Sequence, residues 1–123
     1  MSVIVRDDGF HPEDFSGEAL DILPEADAGH LPALIAGAEL VRVIFPSFSD
    51  GRGFTLARRI RAMGFTGRLR ATGPLIADQY AMARRVGFDE VEIPDEMAAR
   101  QPSPQWLFRA DWAAHDYRAR LAG

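Results

Sequence analysis

The feature that most constrains this chain is a switch between two apolar periods from Val41 to Ile93. Val41-Arg42-Val43-Ile44-Phe45 is a β-branched run with little strict alternation in its second half, the pattern of a parallel strand covered on both faces. From Phe54 to Met63 the apolar positions Leu56, Ala57, Ile60 and Met63 recur at helical spacing, Arg58, Arg59 and Arg61 lie off that stripe, and Gly64 is placed to end the helix. Arg68-Leu69-Arg70-Ala71-Thr72 is a second strand, which Gly73-Pro74 breaks. Ile76, Tyr80, Ala83 and Val86 share one face of a second helix ended by Gly87, and Val91-Glu92-Ile93 starts a third strand. This order, with roughly 22 to 27 residues from one strand start to the next, predicts two consecutive right-handed crossover units and three neighbouring parallel strands.

The flanks carry weaker signals. Val3-Ile4-Val5-Arg6 followed by Asp8-Gly9 predicts an edge strand and a tight hairpin turn, with no partner strand assigned. Residues 10–30 contain Pro12, Gly17, Pro24 and Gly29 without a sustained period, which reads as an irregular connection with room for one helical turn. Pro32 fits the first turn of a short helix carrying Leu31, Leu34, Ile35 and Ala38. After Pro94 a polar loop leads to Ser103-Pro104, a good helix start, and a long helix is predicted over about 104–121. Its stripes, Trp106, Ala110, Ala113, Tyr117 and Leu121 on one side and Phe108 and Trp112 on another, call for burial either in the core or against a second copy of the chain, a homodimer. The whole is expected to be one α/β domain over 1–123: a small, mainly parallel sheet, an N-terminal edge hairpin and a long C-terminal helix, with its core at about 41–94.

Composition narrows the chemistry. The chain has no cysteine, which excludes disulfides, thiolate nucleophiles and thiolate-held metal clusters. No apolar run reaches the roughly 18 residues of a membrane span, and the N-terminus lacks the basic start and apolar segment of a secretory signal, so a cytoplasmic protein is expected. His11, His30 and His115 have no ligand spacing, and no metal site is expected. All 14 basic residues are arginine. Eight of them fall between Arg52 and Arg85 against one acid, Asp78, a local charge of +7, while the remainder carries −11, giving −4 in all. Such asymmetry fits an acidic partner or anionic ligand, or acidic flanks folded over a basic centre. Overall acidity and the lack of aromatic residues among the arginines argue against nucleic acid.

Ligands of open parallel α/β sheets bind beyond the carboxyl ends of the strands, here Pro46 to Gly53, Thr72-Gly73-Pro74 and Pro94-Asp95. In the first of these, Gly51 and Gly53 would let a ligand approach the backbone, Arg52 can fork onto a carboxylate, sulfate or phosphate at the helix start, and Ser47, Ser49 and Asp50 can orient it. The competing reading is a plain turn in which Asp50 caps the helix, Gly51 is left-handed and Arg52 is solvated. Thr72, Asp78 and Gln79 belong to the same sheet end, and Asp50 and Asp78 are the candidate acid–base groups. The loop is no dinucleotide fingerprint, since Leu56 stands at the third glycine, and a chain without lysine has no phosphate loop, so no cofactor is assigned.

The stretches F-P-S-F-S-D-G-R-G-F-T-L-A-R, G-R-L-R-A-T-G and D-Q-Y-A-M-A-R-R-V-G-F-D-E-V-E-I resemble the bacterial domain-of-unknown-function family numbered 934. The resemblance places the family's aspartate-glycine-arginine-glycine on Asp50, Gly51, Arg52 and Gly53, its L-R-A-x-G on Leu69 to Gly73, and its aspartate-glutamine pair on Asp78 and Gln79. Ser47 stands where the family has lysine, Phe54 where it has tyrosine and Val86 where cysteine is frequent. Members are commonly encoded beside assimilatory sulfite reductase, so the resemblance implies an anion-binding accessory protein or oxidoreductase component of sulfite reduction, with sulfite reductase as a partner. The alternative is a non-catalytic module that binds a protein partner.

Overall fold

When each parallel strand is laid beside the previous one by a right-handed crossover, with no reversal of order, every connecting helix falls on the same face of the sheet. The computed structural model, which describes residues 1–110, follows that rule. In chain order the elements are β1 (Ser2–Arg6), β2 (Gly9–His11), β3 (Ala19–Ile22), α1 (Leu31–Ile35), β4 (Leu40–Ile44), α2 (Arg52–Ala62) and β5 (Arg68–Thr72). A 3-10 turn (Ala77–Gln79) then runs into α3 (Tyr80–Val86), followed by β6 (Glu90–Pro94), α4 (Asp95–Arg100) and α5 (Ser103–Leu107). They build one six-stranded sheet in the order β2-β1-β6-β5-β4-β3. The predicted parallel neighbours are there, β4 with β5 and β5 with β6, and the short helix expected around Pro32 is α1.

Period-two alternation sorts the strands into two unlike faces. One carries Val5, Val41, Val43, Leu69, Val91 and Ile93 and packs on all the helices that contribute to the core, including Leu31 of α1, Ile60 of α2, Tyr80 of α3 and Trp106 of α5. The other carries Arg6, Asp21, Arg42, Arg68, Arg70, Glu90 and Glu92. The expectation that β4 is covered on both faces is therefore corrected. Arg42 alternates with Val41 and Val43, and its side turns to the charged face.

Five further expectations change. The sheet is mixed, not mainly parallel, because β1 runs antiparallel to both β2 and β6. A two-stranded hairpin needs no crossover, and Val3 opposite Ile93 and Val5 opposite Val91 continue the apolar face. The hairpin does lie at the edge, but β2 is the edge strand and β1 is internal. Residues 10–30 contain a strand, β3, parallel to β4, with only Leu20 and Ile22 to signal it. The polar loop after Pro94 is largely α4. Finally, α5 spans five residues instead of a long helix. Trp106 is fully buried and its indole N–H donates to the Gln101 carbonyl at 2.8 Å, and beyond it Arg109 and Ala110 donate to carbonyls three residues back, winding the chain out of α geometry. The core takes up Trp106 but leaves Phe108 exposed, and Trp112, Ala113, Tyr117 and Leu121, on which the expected pairing with a second copy also rests, lie outside the described residues.

The sheet order has one more consequence. β2 and β3 sit at opposite edges, so the chain between them crosses the whole sheet, about 24 Å for five strand spacings. Eight residue steps from His11 to Ala19 reach at most about 26–29 Å. Residues 12–18 thus form a nearly taut strap over the charged face, where Glu13 pairs with Arg70, Asp14 with Arg6 and Arg68, and Phe15 lies over the Arg68 guanidinium.

Candidate functional site

At the carboxyl edge of the sheet the two glycines of the loop have different reasons to be there. A Cβ on Gly53 would clash with the tip of the Phe45 ring, which is buried, tilted against Phe54 and edge-on to Phe88, so Gly53 lets α2 lie close on β4. Gly51 has φ −87° and nothing within 4 Å of a Cβ, so it is not left-handed as the turn reading expects, and the fold does not demand glycine there. Gly51→Ala is expected to shift the unfolding free energy by no more than about 0.5 kcal/mol. Gly53→Ala is expected to cost about 1–3 kcal/mol through overpacking, and urea melts of both variants check the contrast. Gly73 is required as well, since its φ of +151° and the Phe45 carbonyl leave no room for a side chain.

The polar side chains of this loop are mostly satisfied by one another. Arg52 donates to both carboxylate oxygens of Asp50, Nε at 3.0 Å and Nη2 at 2.7 Å, and its backbone N–H donates to Asp50 at 3.1 Å. Those bonds hold the Asp50 carboxyl below the usual range and raise the pKa of Arg52. The Ser47 and Ser49 hydroxyls bond each other at 3.0 Å. Gln79 ties the loop to the next helix: its amide donates to the Phe48 carbonyl at 2.6 Å and its carbonyl oxygen accepts from the Ile76 N–H at 3.1 Å. Asp78 does not join Asp50 and Arg52. It pairs with Arg109 at 2.8 Å, on the rim of an open cleft of about 640 Å³ lined chiefly by Ile76, Ala77, Pro104, Gln105 and Phe108. Thr72 is separate again, on the charged face, where its buried hydroxyl has no partner among the described residues, beside a cleft of about 310 Å³ shared with Ser2 and Glu92. Seven of the predicted residues, 47, 49, 50, 51, 52, 53 and 79, therefore form one cluster, while Thr72 and Asp78 stand apart.

Two features differ from or escaped the sequence reading. One is apolar: Phe48 on the loop is 54% exposed, and Phe108 on the cleft, expected to be buried, is 78% exposed in the chain. The other is the charged face. Glu90, 2% exposed, accepts from Arg70 Nε at 2.6 Å, from Arg6 Nε at 3.0 Å and from Arg68 Nε at 3.0 Å. Glu92 accepts from Ser2, Arg42 and Arg70, and Arg42 reaches across to Asp21 at 2.7 Å. Burial pushes both glutamates up, but the arginine hydrogen bonds outweigh it for Glu90, and those of Ser2 and Arg70 with the Arg42 charge do so for Glu92, leaving both below the ordinary carboxylate range. The signal for this face was legible, since R-L-R at 68–70 and E-V-E at 90–92 put like charges on one side of each strand and opposite charges across the pair. Ion pairs here and elsewhere account for much of the charge asymmetry: Arg68 and Arg70 in this network, and Arg52, Arg61 and Arg84 outside it, all pair with acids from beyond the basic centre.

No curated protein and no solved structure matches the chain. The family model described as "Bacterial protein of unknown function (DUF934)" matches residues 19–115, a span that includes the carboxyl-edge loop, both crossover units and the charged strands β5 and β6. With well over half of its length matched, the chain belongs to that bacterial family.

Proposed function

We propose that this protein is an accessory protein of sulfite reduction that acts by docking onto a partner protein, with no turnover of its own. The observation that carries the reading is the division of labour at the carboxyl edge: Asp50, Asp78, Ser47, Ser49 and Gln79 are each engaged within the chain, while Phe48 on the loop and Phe108 on the apolar cleft project into solvent. Neither candidate acid is placed for proton transfer, because Asp50 is bound on both oxygens by Arg52 and Asp78 is an exposed ion-paired carboxylate. Exposed aromatics are the usual anchors of an interface. The partner is assimilatory sulfite reductase, which the family resemblance implies.

Purified chain and purified sulfite reductase should co-elute, and Phe48→Ser and Phe108→Ser should each weaken the complex by about 2 kcal/mol, roughly 30-fold, without lowering the melting temperature. Turnover of sulfite with a supplied reductant by the chain alone would defeat this reading in favour of an oxidoreductase. An anion at Arg52 is the second reading, favoured by the absence of acids from the first turn of α2 and the 58% exposure of the arginine side chain. There Arg52→Ala should reduce the thermal stabilisation by sulfite, sulfate or phosphate while changing stability by about 0.5 kcal/mol or less.

A further inference from the structure

We propose that the arginine face beneath residues 12–18 is a binding site for a free dianionic oxyanion of sulfur or phosphorus, and that the strap's own Glu13 and Asp14 fill it when no ligand is bound. Arg6 from β1 and Arg68 and Arg70 from β5 converge there. Asp14 takes Arg6 Nη2 on both oxygens at 2.8 Å and also Arg68, and Glu13 takes Arg70 Nη1 at 2.8 Å. This face is remote in role from Arg52, and the inference does not depend on the docking reading.

Charge favours an exchange of strap for ligand. Beneath the strap, Arg6, Arg42, Arg68 and Arg70 supply +4, and Asp21, Glu90 and Glu92 supply −3, a surplus of +1. Glu13 and Asp14 add −2, so a dianion replaces the strap charge for charge.

Hydrogen bonding favours it too. Arg70 is 1% exposed, yet among the described residues its Nη2 has no acceptor, because Glu90 takes Nε and Glu13 and Glu92 share Nη1. A buried guanidinium nitrogen without an acceptor is costly. The strap leaves that donor unused, and a tetrahedral oxyanion brings more acceptor oxygens than the one carboxylate Glu13 supplies.

The grip of the strap's side chains on this face is also weak. None of residues 12–18 belongs to the apolar core, and the hold on the sheet consists of two exposed carboxylates and one ring over Arg68. The Glu13 and Asp14 side chains are 45% and 47% exposed, against 3% for Glu90 beneath them, so salt and competing anions reach the upper layer and not the lower one.

The experiment titrates sodium sulfate and sodium phosphate, with chloride at matched ionic strength as control, into the full chain, the E13Q/D14N variant and E13Q/D14N carrying Arg68→Gln. Calorimetry reads affinity, and hydrogen exchange reads the backbone amides of residues 13–18. Removing the competing carboxylates should tighten sulfate and phosphate binding by about tenfold or more, and Arg68→Gln should reverse that gain. In the wild type, sulfate should speed exchange in the strap while β5 and β6 stay protected. Methyl phosphate run beside inorganic phosphate separates a free dianion from an esterified one, and tighter binding of the ester would overturn the assignment to a free oxyanion. If E13Q/D14N binds sulfate and phosphate no better than the wild type, or if chloride acts equally, the strap is a fixed cover and the proposal fails. Adding Arg52→Ala to the wild type and to E13Q/D14N should leave the gain of the second over the first unchanged. Should the triple variant not fold, the comparison of E13Q/D14N with the wild type decides alone.

Discussion

Glu90→Ala is expected to lower the unfolding free energy by about 3–5 kcal/mol, the scale for breaking a buried ion network from one side. Glu90 is the shared acceptor of Arg6, Arg68 and Arg70, and Arg70 is as buried as the glutamate itself. Alanine leaves that guanidinium in place with its Nε and Nη2 both without an acceptor. Urea denaturation of both proteins at neutral pH measures the difference, and a loss under about 1 kcal/mol would mean that water reaches Arg70 freely and the network is only a surface one. The same carboxylates set a pH dependence. Asp14, Glu90 and Glu92 all have folded-state pKa values below their ordinary ones, through the Arg68 and Arg6 hydrogen bonds in the case of Asp14. Their contribution is complete above the unfolded value of about 4 and is lost as pH falls through the folded values. Wild-type urea midpoints should therefore be flat near neutrality and fall below about pH 4.5, and Glu90→Gln should flatten that fall.

Trp106→Ala is expected to cost about 3–5 kcal/mol, through the cavity left in the core and the lost indole bond to Gln101. The ring stands edge-on to Tyr80 at 6.1 Å, and Tyr80, its hydroxyl pushed up by burial and by the bond it donates to Asp7, fixes α3 to the hairpin. Losing Trp106 therefore loosens the link between α5 and the crossover helices. Phe108→Ala, two positions on and 78% exposed, should stay within about 0.5 kcal/mol. Equal effects of the two substitutions in a thermal melt would contradict the burial of one and the exposure of the other.

The crossover units were legible because their signals are local. Val41 to Phe45, the Leu56–Ile60 stripe and the breakers Gly64, Gly73 and Gly87 state both the elements and their order. The loop at Asp50 to Gly53 was legible for the same reason, since the end of a strand and the start of a helix mark it directly. Other features depended on partners far along the chain. β3 is only four residues long and takes its stability from pairing with β4, so no period announced it. The antiparallel docking of β1 on β6 joins residues about ninety apart. Arginines that look like an anion site in a linear count turn out to be met by acids from outside the basic stretch, and Glu13 and Asp14 find Arg70, Arg68 and Arg6 only because the strap must cross from one sheet edge to the other. Sequence alone determined which segments can bury an apolar face, since that choice is made by side-chain period within a few residues. Tertiary structure alone decided which charges remain available, because an ion pair depends on distance in space and fold topology sets that distance.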